Sequence, residues 1–207
     1  MCKFADYVPA YFNSVTNFHY STWQETYYGM PGVDPDFVSA TQLSHIKKVW
    51  KNQEDLNKNK SFAPAIIAQE NNQIVAIIRG NEHAFSGTKI LKYEQVYVRP
   101  ENQRQGLGAA LSYLLFFKAL QEGIQSAVVE IDRGNNGSLQ FQKHIGAQEQ
   151  PVESVALDWR GNQKFENPIW VVTHPNLSYS MSCLQEQLQT RRANLWSEIN
   201  KYVREQK

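Results

Sequence analysis

The stretch Gln103-Arg104-Gln105-Gly106-Leu107-Gly108 decides the fold, because it joins a predicted strand to a predicted amphipathic helix. Glycines have no Cβ atom, so the backbone can approach a ligand closely, and the positive end of the helix dipole is directed at the same place. Such a turn can bind a phosphate through successive amides, and Arg104 can add charge-assisted hydrogen bonds. The turn is too short for a Walker loop and lacks the third glycine of a dinucleotide fingerprint.

The segments on both sides of this turn predict a strand–helix–strand unit. Leu91 to Val98 is rich in β-branched and aromatic residues and ends before a proline, as a strand does. Apolar residues then recur at helical spacing until Gly123, and a second apolar run extends from Ser126 to Ile131. The short loops predict a right-handed crossover between two parallel strands. Asn135 then offers a cap for a short helix that ends at Gly146.

The strand before the turn changes its apolar phase part-way. Its apolar residues alternate up to Tyr93 and again from Val96, but the two sets are out of phase. A β-bulge at Glu94-Gln95 produces such a slip. A strand buried on both faces is the alternative, since Tyr97 also has a large apolar side chain, and both interpretations stay open.

The N-terminal third predicts helices. Apolar side chains at helical spacing indicate a helix from about Ala10 to Tyr28, and Asp36 can cap a second helix that includes Trp50. The polar run from Asn52 to Ser61 is interpreted mostly as a loop.

A hairpin is predicted next. Two apolar runs, Phe62 to Ala68 and Ile74 to Ile78, flank Asn71-Asn72, and asparagine tolerates the positive φ angles of a tight turn. Gly80 to Gly87 is interpreted as a loop.

The C-terminal third predicts two strands and a helix. Val155 to Trp159 and Ile169 to Thr173 are apolar runs on either side of a Gly-Asn turn. The tail from Ser178 to Lys207 places apolar residues along one helical face, interrupted at Arg191. A helix of this length is marginal alone in water, so this face is expected to dock on its own domain or on a second copy.

Composition narrows the class of function. Lys and Arg number 21 against 20 Asp and Glu in 207 residues, so net charge does not favour nucleic acid or membrane as a partner. No apolar run reaches 18 residues, which predicts no membrane span. Two separated cysteines suit a reducing compartment, and a cytoplasmic location is expected. No two of the five histidines have the helical spacing of metal ligands, so no metal site is predicted.

Three motifs in order carry a family resemblance. Residues 93–109 resemble motif A of the GNAT superfamily of acyl-CoA N-acyltransferases, where [Q/R]xxGx[G/A] follows a strand ending in YVxP. Residues 135–147 resemble motif B, NxxAxxFYxxxGF, and residues 23–29 are similar to the first-helix segment WxxTYxG. The resemblance covers most of residues 7 to 173.

The resemblance implies an α/β (α+β) fold. Its mixed, mostly antiparallel twisted sheet would contain a splayed parallel pair and carry helices on both faces. Residues 1–174 would form the acyltransferase domain, and residues 175–207 would add a C-terminal helical extension.

The resemblance also implies acetyl-CoA as the cofactor. Amides of the turn would hold the pyrophosphate, the edge of the strand would pair with the pantetheine arm, and motif B would reach the pantetheine. The residues implicated are Val96, Tyr97, Val98, Gln103, Arg104, Gln105, Gly106, Leu107, Gly108, Ala109, Asn135, Ser138 and Phe141.

The catalytic positions depart from the pattern of the family. Much of the family has a tyrosine after the motif B phenylalanine, thought to protonate the departing thiolate, but here the residue is Gln142, whose amide releases no proton. A Gln142→Tyr change is therefore expected not to lower acetyl transfer, with room for a gain of up to roughly 10²-fold. Glu94 is the candidate base acting through water, or else a solvated strand residue. Tyr93 and Tyr97 are candidates for a displaced acid, with core packing as the alternative.

The acceptor site is the least defined feature. Trp23, Tyr27 and Tyr28 are candidates for its wall, although aromatic residues of a first helix also build cores. His83 and His144 are interpreted as surface residues.

The first interpretation of the function is an N-acetyltransferase that acts on a small-molecule or peptide amine as a monomer or homodimer. The alternatives are a weak or silent acyl-CoA sensor and a dimeric scaffold built on the C-terminal helix.

Overall fold

The structure, a computed structural model, describes residues 2–27, 41–59, 61–85, 87–132, 135–150 and 169–206. The strands in these ranges are β1 (Lys3–Asp6), β2 (Ala65–Glu70), β3 (Gln73–Phe85), β4 (Thr88–Val98), β5 (Ala127–Asp132), β6 (Gln148–Gln150) and β7 (Ile169–His174). The helices are α1 (Phe12–Tyr27), α2 (Thr41–Lys58), α3 (Leu107–Gln121), α4 (Asn136–His144), α5 (Leu177–Arg191) and α6 (Ala193–Glu205).

The described strands form one mixed sheet in the order β1-β2-β3-β4-β5-β7-β6. Neighbouring strands are antiparallel, except for the parallel pair β4 and β5 that α3 connects. The predicted fold class, a mostly antiparallel sheet with one parallel pair and helices on both faces, is therefore confirmed.

The hairpin between β2 and β3 turns at two asparagines, as predicted. Asn71 and Asn72 have φ angles of 49° and 62°. Both angles lie in the left-handed region, where asparagine is one of the few residues tolerated besides glycine.

Two segments interpreted as loops belong to regular elements. Gly80 lies inside β3 opposite Tyr93, where a Cβ would come within 2.8 Å of the Leu91 side chain. This close strand contact explains the glycine without a loop. α2 continues to Lys58 because Gln53, in its last turns, is buried and bonds to the Ala63 carbonyl.

Alternate side chains of β2 and β3 pack against different layers of helices. Ile67 and Ile77 join Trp50 in a cluster with α1 and α2. Ile66 and Ile78 face a larger cluster built around α3. Because both faces are covered, these strands appear in the sequence as continuous apolar runs.

The chain after β7 forms two helices that pack on its own domain. Leu188, Ile199 and Tyr202 belong to the cluster around α3, and the Tyr202 hydroxyl donates to the Asp6 carboxylate of β1. The prediction of a single tail helix is wrong, because the helix breaks at Arg192, which has φ −145° and ψ 49°. The tail and the sheet thus share one hydrophobic core.

Some sequence predictions fall outside the described residues. They include the helix cap at Asp36, the strand from Val155 to Trp159 and the end of the first helix at Tyr28. Strands β1 and β6 were not predicted. None of the described helices is long and apolar enough to cross a membrane.

Candidate active site

The parallel strands β4 and β5 stay together over only two residue pairs. Leu91-Lys92 pairs with Ala127-Val128. Beyond this point the other edge of β4 remains paired with β3 as far as Val98. The β5-facing edge of residues 93–98 therefore borders the gap between the separating strands, where an extended ligand can pair with it as an added strand.

A β-bulge lies beside this gap. Glu94 pairs with Arg79 and Tyr97 with Ile77, so two residues of β4 oppose a single residue of β3. Of the two open interpretations, the structure therefore has the bulge, and it includes Val96, one residue beyond Glu94-Gln95. An extra residue disrupts the regular ladder and can turn a backbone amide away from its partner strand.

The glycine turn presents the amino end of α3 next to the gap. Arg104 and Gly106 have φ angles of 58° and 91°, and Gly106 is the N-cap of the helix. Because glycine has no side chain, no capping group covers the first amides of the helix, which have no partners within the helix itself. These amides and the positive end of the helix dipole suit an anion.

The side chains of Gln103 and Gln105 bind the turn itself. Gln103 Nε2 donates to the Val98 carbonyl at 3.1 Å, and Gln105 Nε2 donates to the Glu101 carbonyl at 2.9 Å. These contacts tie the turn to the end of β4 and to the residues that precede it.

The two glycines differ in what requires them. Gly106 has a φ of 91°, and a Cβ there would lie 3.1 Å from Arg192 Cγ. Gly108 has an ordinary helical backbone, and a Cβ there would meet none of the other described residues within 4 Å, its own helix and chain neighbours aside. Backbone conformation and packing explain Gly106, whereas Gly108 leaves open space that a ligand can use.

The start of α4 is capped by Asn135. Its Oδ1 accepts a hydrogen bond of 3.0 Å from the Ser138 amide, so this oxygen is already occupied. Phe141 is partly buried against the large core cluster. The structure therefore gives Asn135 and Phe141 structural contacts and leaves the expected pantetheine contacts as predictions.

Gln142 lies at the centre of a buried polar network. The Tyr93 hydroxyl donates to its Oε1 at 2.5 Å, and His174 Nε2 lies 3.0 Å from the same oxygen. His174 Nδ1 lies 2.9 Å from Ser180 Oγ on α5. One consistent arrangement has the serine hydroxyl donating to Nδ1 and the Nε2–H donating to Gln142.

Burial determines the ionisation of this network. Burial lowers the pKa of His174 to about 4, so its imidazole is neutral at pH 7. Burial also raises the pKa of Tyr93 well above its usual value, with the Gln142 hydrogen bond acting in the opposite direction. Tyr93 is fully enclosed, so its phenol is held in the neutral form.

Glu94 points to the other face of the sheet and is held by Arg79. Arg79 Nη2 lies 2.9 Å from the Glu94 carboxylate, and Nη1 donates to Gln53 Oε1 at 3.0 Å. The Glu94 side chain is 34% exposed, whereas that of Arg79 is 11% exposed. A partly open carboxylate on the bulged strand can accept a proton through water.

Tyr97 and His19 stack beside this ion pair. Their ring centroids are 4.7 Å apart, and His19 Nδ1 accepts a hydrogen bond of 3.1 Å from the Trp50 indole. Burial, followed by the charges of Arg79 and His45, lowers the pKa of His19 to about 3. Because a neutral, buried histidine packs against Tyr97, the structure favours the packing role of this tyrosine over the role of an acid.

The residues expected at the acceptor pocket are only partly described. Trp23 is buried, with 8% of its surface exposed, whereas the side chain of Tyr27 and all of Tyr28 lie outside the described residues. His83 lies on β3 and not in a loop, and burial lowers its pKa. Within the described ranges no group of three His, Cys, Asp or Glu residues could hold a metal ion.

The model of the acetyltransferase (GNAT) family matches residues 20–147, more than half of the chain. The chain belongs to the acetyltransferase (GNAT) family. It is an acetyltransferase, and acetyl-CoA is the acetyl donor typical of this family. The predictions of enzyme class and cofactor are thereby confirmed. No curated protein sequence matches the chain.

Solved structures share the GNAT fold at low sequence identity. A GNAT-family acetyltransferase from Staphylococcus aureus has a TM-score of 0.65 at 13% identity, with 86% of this chain and 99% of that one covered. The PaiA N-acetyltransferase from Thermoplasma acidophilum, solved with coenzyme A, has a TM-score of 0.64 at 12% identity, with 83% and 98% covered. YncA from Salmonella typhimurium, solved with its cofactor acetyl-CoA, has a TM-score of 0.58 at 16% identity, with 86% and 94% covered.

Sequence reasoning missed several polar residues of this candidate site. His174 and Ser180 complete the network at Gln142, and Arg79 holds Glu94. Arg192 contacts the turn from 88 residues away. None of these residues belongs to a local motif, so only the fold brings them to the site.

Proposed function

We propose that this GNAT enzyme transfers an acetyl group from acetyl-CoA to a primary amine in the gap between β4 and β5. The observation that carries the proposal is the coincidence of three features: separated parallel strands, a bulge beside the gap, and an α3 amino end with open space at Gly108. This arrangement fits a long ligand that has a pyrophosphate at one end and a thioester at the other.

The backbone makes most of the proposed cofactor contacts. Amides of residues 104–109 bind the pyrophosphate, and the Arg104 side chain adds positive charge. The edge of β4 from Val96 to Val98 pairs with the pantetheine arm. Gln103 and Gln105 hold the turn in shape. Asn135 acts mainly as the cap of α4.

Acetyl-CoA supplies an activated thioester, and the residues around the bulge assist the exchange. The amine nitrogen forms a bond to the acyl carbon as the carbon–sulfur bond breaks. The backbone N–H near Val96 donates to the carbonyl oxygen as negative charge develops there. Glu94 accepts the proton of the amine through water. The CoA sulfur leaves as a thiolate, which is a good leaving group near neutral pH, and water supplies its proton because Gln142 has none to give.

The acceptor is proposed to be a small-molecule or peptide amine of modest charge. The carboxylates at this part of the sheet are paired with cations, Glu94 with Arg79 at 2.9 Å and Glu130 with Lys92 at 3.6 Å. Paired charges give little selection for a polycation, and the net charge of +1 gives none for nucleic acid.

A monomer in the cytoplasm is the proposed state. The apolar face of the tail is buried against its own domain, and the large hydrophobic residues exposed in the described ranges are Val8 and Tyr179. Both cysteines are free thiols, which suits a reducing compartment.

The experiment measures free thiol released from acetyl-CoA in the presence of small amines, polyamines and peptides with free amino groups. It includes the graded series Gly108→Ala, Gly108→Val and Gly108→Leu. We expect CoA affinity to fall as the side chain grows, because each addition fills the space proposed for the pyrophosphate. The melting temperature should change little, because the fold has room at this position.

CoA affinity and thiol release together separate the possible outcomes. A folded wild type that binds no CoA would remove the proposed function. Unchanged CoA affinity in Gly108→Leu would contradict the pyrophosphate site, even if transfer occurs. Binding without transfer to any amine would favour the acyl-CoA sensor.

A further inference from the structure

Arg192, the residue between α5 and α6, reaches back to the glycine turn. Its Nη2 donates to the Arg104 carbonyl at 2.8 Å, across 88 positions of the chain. Its Nη1 donates to the Arg191 carbonyl at 3.2 Å. The guanidinium therefore links the turn to the end of α5.

The bond to Arg104 fixes the direction of one peptide group in the turn. No cis peptide bond occurs in the described chain, so the Arg104 carbonyl and the Gln105 amide of that peptide point in opposite directions. With the carbonyl held by Arg192, the Gln105 N–H is directed away from the guanidinium. A flip of this peptide would direct the carbonyl oxygen to the other side and would cost the bond to Arg192.

This restraint acts where the backbone is strained. Arg104 has a φ of 58°, in the left-handed region that non-glycine residues rarely adopt. The stem of Arg192 also packs on the next part of the turn, since a Cβ at Gly106 would lie 3.1 Å from Arg192 Cγ and 3.4 Å from Leu195 Cδ2. The turn is thus held by one charged hydrogen bond and one apolar contact on the same side.

Arg192 is itself held firmly by the tail helices. Its amide donates to the Leu188 carbonyl and its carbonyl accepts from the Trp196 amide, both at 2.9 Å. Leu188 and Ile199, one on each helix, are buried in the core around α3. The side chain is exposed, but its backbone is anchored on two packed helices.

We propose that Arg192 is a positioning residue for the pyrophosphate of CoA. It acts by holding the 104–105 peptide from the side opposite the Gln105 N–H, so that the amides of the turn are arranged before the cofactor arrives. The inference rests on the proposed function. It assigns the C-terminal helices a part in cofactor binding, in addition to their part in the core.

The test measures CoA affinity by calorimetry for the wild type and for Arg192→Ala, Arg192→Lys and Arg191→Ala. Arg191 is the matched control, because it is an exposed arginine at the neighbouring position whose side chain has no described contact with the turn. We expect Arg192→Ala to raise the Kd for CoA about tenfold, the effect of losing one charged hydrogen bond. Arg192→Lys should recover part of this loss, and Arg191→Ala should change Kd less than twofold.

A second measurement separates positioning of the turn from general damage. S-acetyl-pantetheine has the thioester but no pyrophosphate, so its kcat/KM as acetyl donor should be the same in Arg192→Ala and in the wild type. Equal losses with both donors, or equal effects of Arg192→Ala and Arg191→Ala on CoA, would overturn the inference while leaving the proposed function intact. A folded wild type that binds no CoA would overturn both.

Discussion

The Tyr93 hydroxyl donates a hydrogen bond of 2.5 Å to the amide oxygen of Gln142, which lies 49 residues further along the chain. His174 Nε2 lies 3.0 Å from the same oxygen. Gln142 is 2% exposed, so the position is a buried polar junction between β4, α4 and β7. The sequence alone suggests that this position merely lacks the tyrosine of the family. The structure shows that the glutamine has partners of its own.

The first prediction concerns replacements of Gln142. Gln142→Leu keeps the approximate volume but removes the oxygen that the Tyr93 hydroxyl and His174 Nε2 share, so these two groups, 2.9 Å apart, can bond only each other. The change should lower the free energy of unfolding by about 1 kcal/mol. Gln142→Tyr adds a ring to a closed site and should cost about 1–3 kcal/mol through overpacking. We therefore now expect no gain in acetyl transfer from the tyrosine. Urea unfolding and transfer rates measure both effects, and a stable, faster Gln142→Tyr enzyme would restore the interpretation of a missing acid.

The second prediction is a pH dependence of stability. Burial lowers the pKa of His174 to about 4, below the unfolded value of about 6.5, so between these pH values the unfolded chain binds more protons. The free energy of unfolding should therefore fall as the pH drops from about 6.5 to 4, by on the order of 3 kcal/mol from this residue. Above pH 6.5 the contribution is fully present.

His174→Gln should flatten this part of the stability curve, whereas His144→Gln, at an exposed position, should leave its slope unchanged. Urea unfolding between pH 4 and 7 provides the measurement. Parallel curves for the wild type and His174→Gln would show that another group causes the loss at low pH. His19, whose pKa burial lowers to about 3, and His83, whose pKa burial also lowers, should contribute to the slope that remains.

The third prediction concerns the proposed base. Glu94→Gln removes the proton acceptor beside the bulge and should lower kcat/KM by roughly 10²-fold, within the usual range for general bases. Kd for CoA should stay the same, because the amides proposed to bind the pyrophosphate belong to residues 104–109, whereas the Glu94 carboxylate is held by Arg79. Glu130→Gln is the matched control, since Glu130 is also a paired carboxylate, held by Lys92 at 3.6 Å. Equal losses in the two variants would indicate an electrostatic effect on the acceptor instead of base catalysis.

Local sequence signals predicted the parts of the fold that depend on neighbouring residues. The asparagine turn requires left-handed backbone at Asn71 and Asn72, and the turn before α3 requires it at Gly106. In both turns the residue type, asparagine or glycine, signals this backbone conformation in the sequence. The phase slip in β4 left two interpretations open, and the structure has the bulge, because a strand's side chains alternate strictly unless a residue is inserted.

The features that the sequence analysis misinterpreted or missed share one physical cause, which is tertiary contact. The polar end of α2 has the composition of a loop, but Gln53 bonds to Ala63 and Arg79 and holds it against the domain as a helix. Gly80 suggests a turn until the Leu91 side chain is found where its Cβ would be. The contact between Arg192 and Arg104 spans 88 positions and follows from the packing of α5 and α6, for which the sequence offers only an apolar stripe.

The last prediction concerns the tail helices. Leu188 lies on α5 and is fully buried in the core around α3. Leu188→Ala should therefore lower the free energy of unfolding by about 2–5 kcal/mol through lost contacts and a cavity. Met181→Ala, at a partly buried position of the same helix, is the control and should cost less. Because the tail packs on its own domain, light scattering should give the mass of one chain for the wild type and for both variants. A wild type with twice that mass, reduced to one chain in Leu188→Ala, would instead identify the tail as a dimer interface.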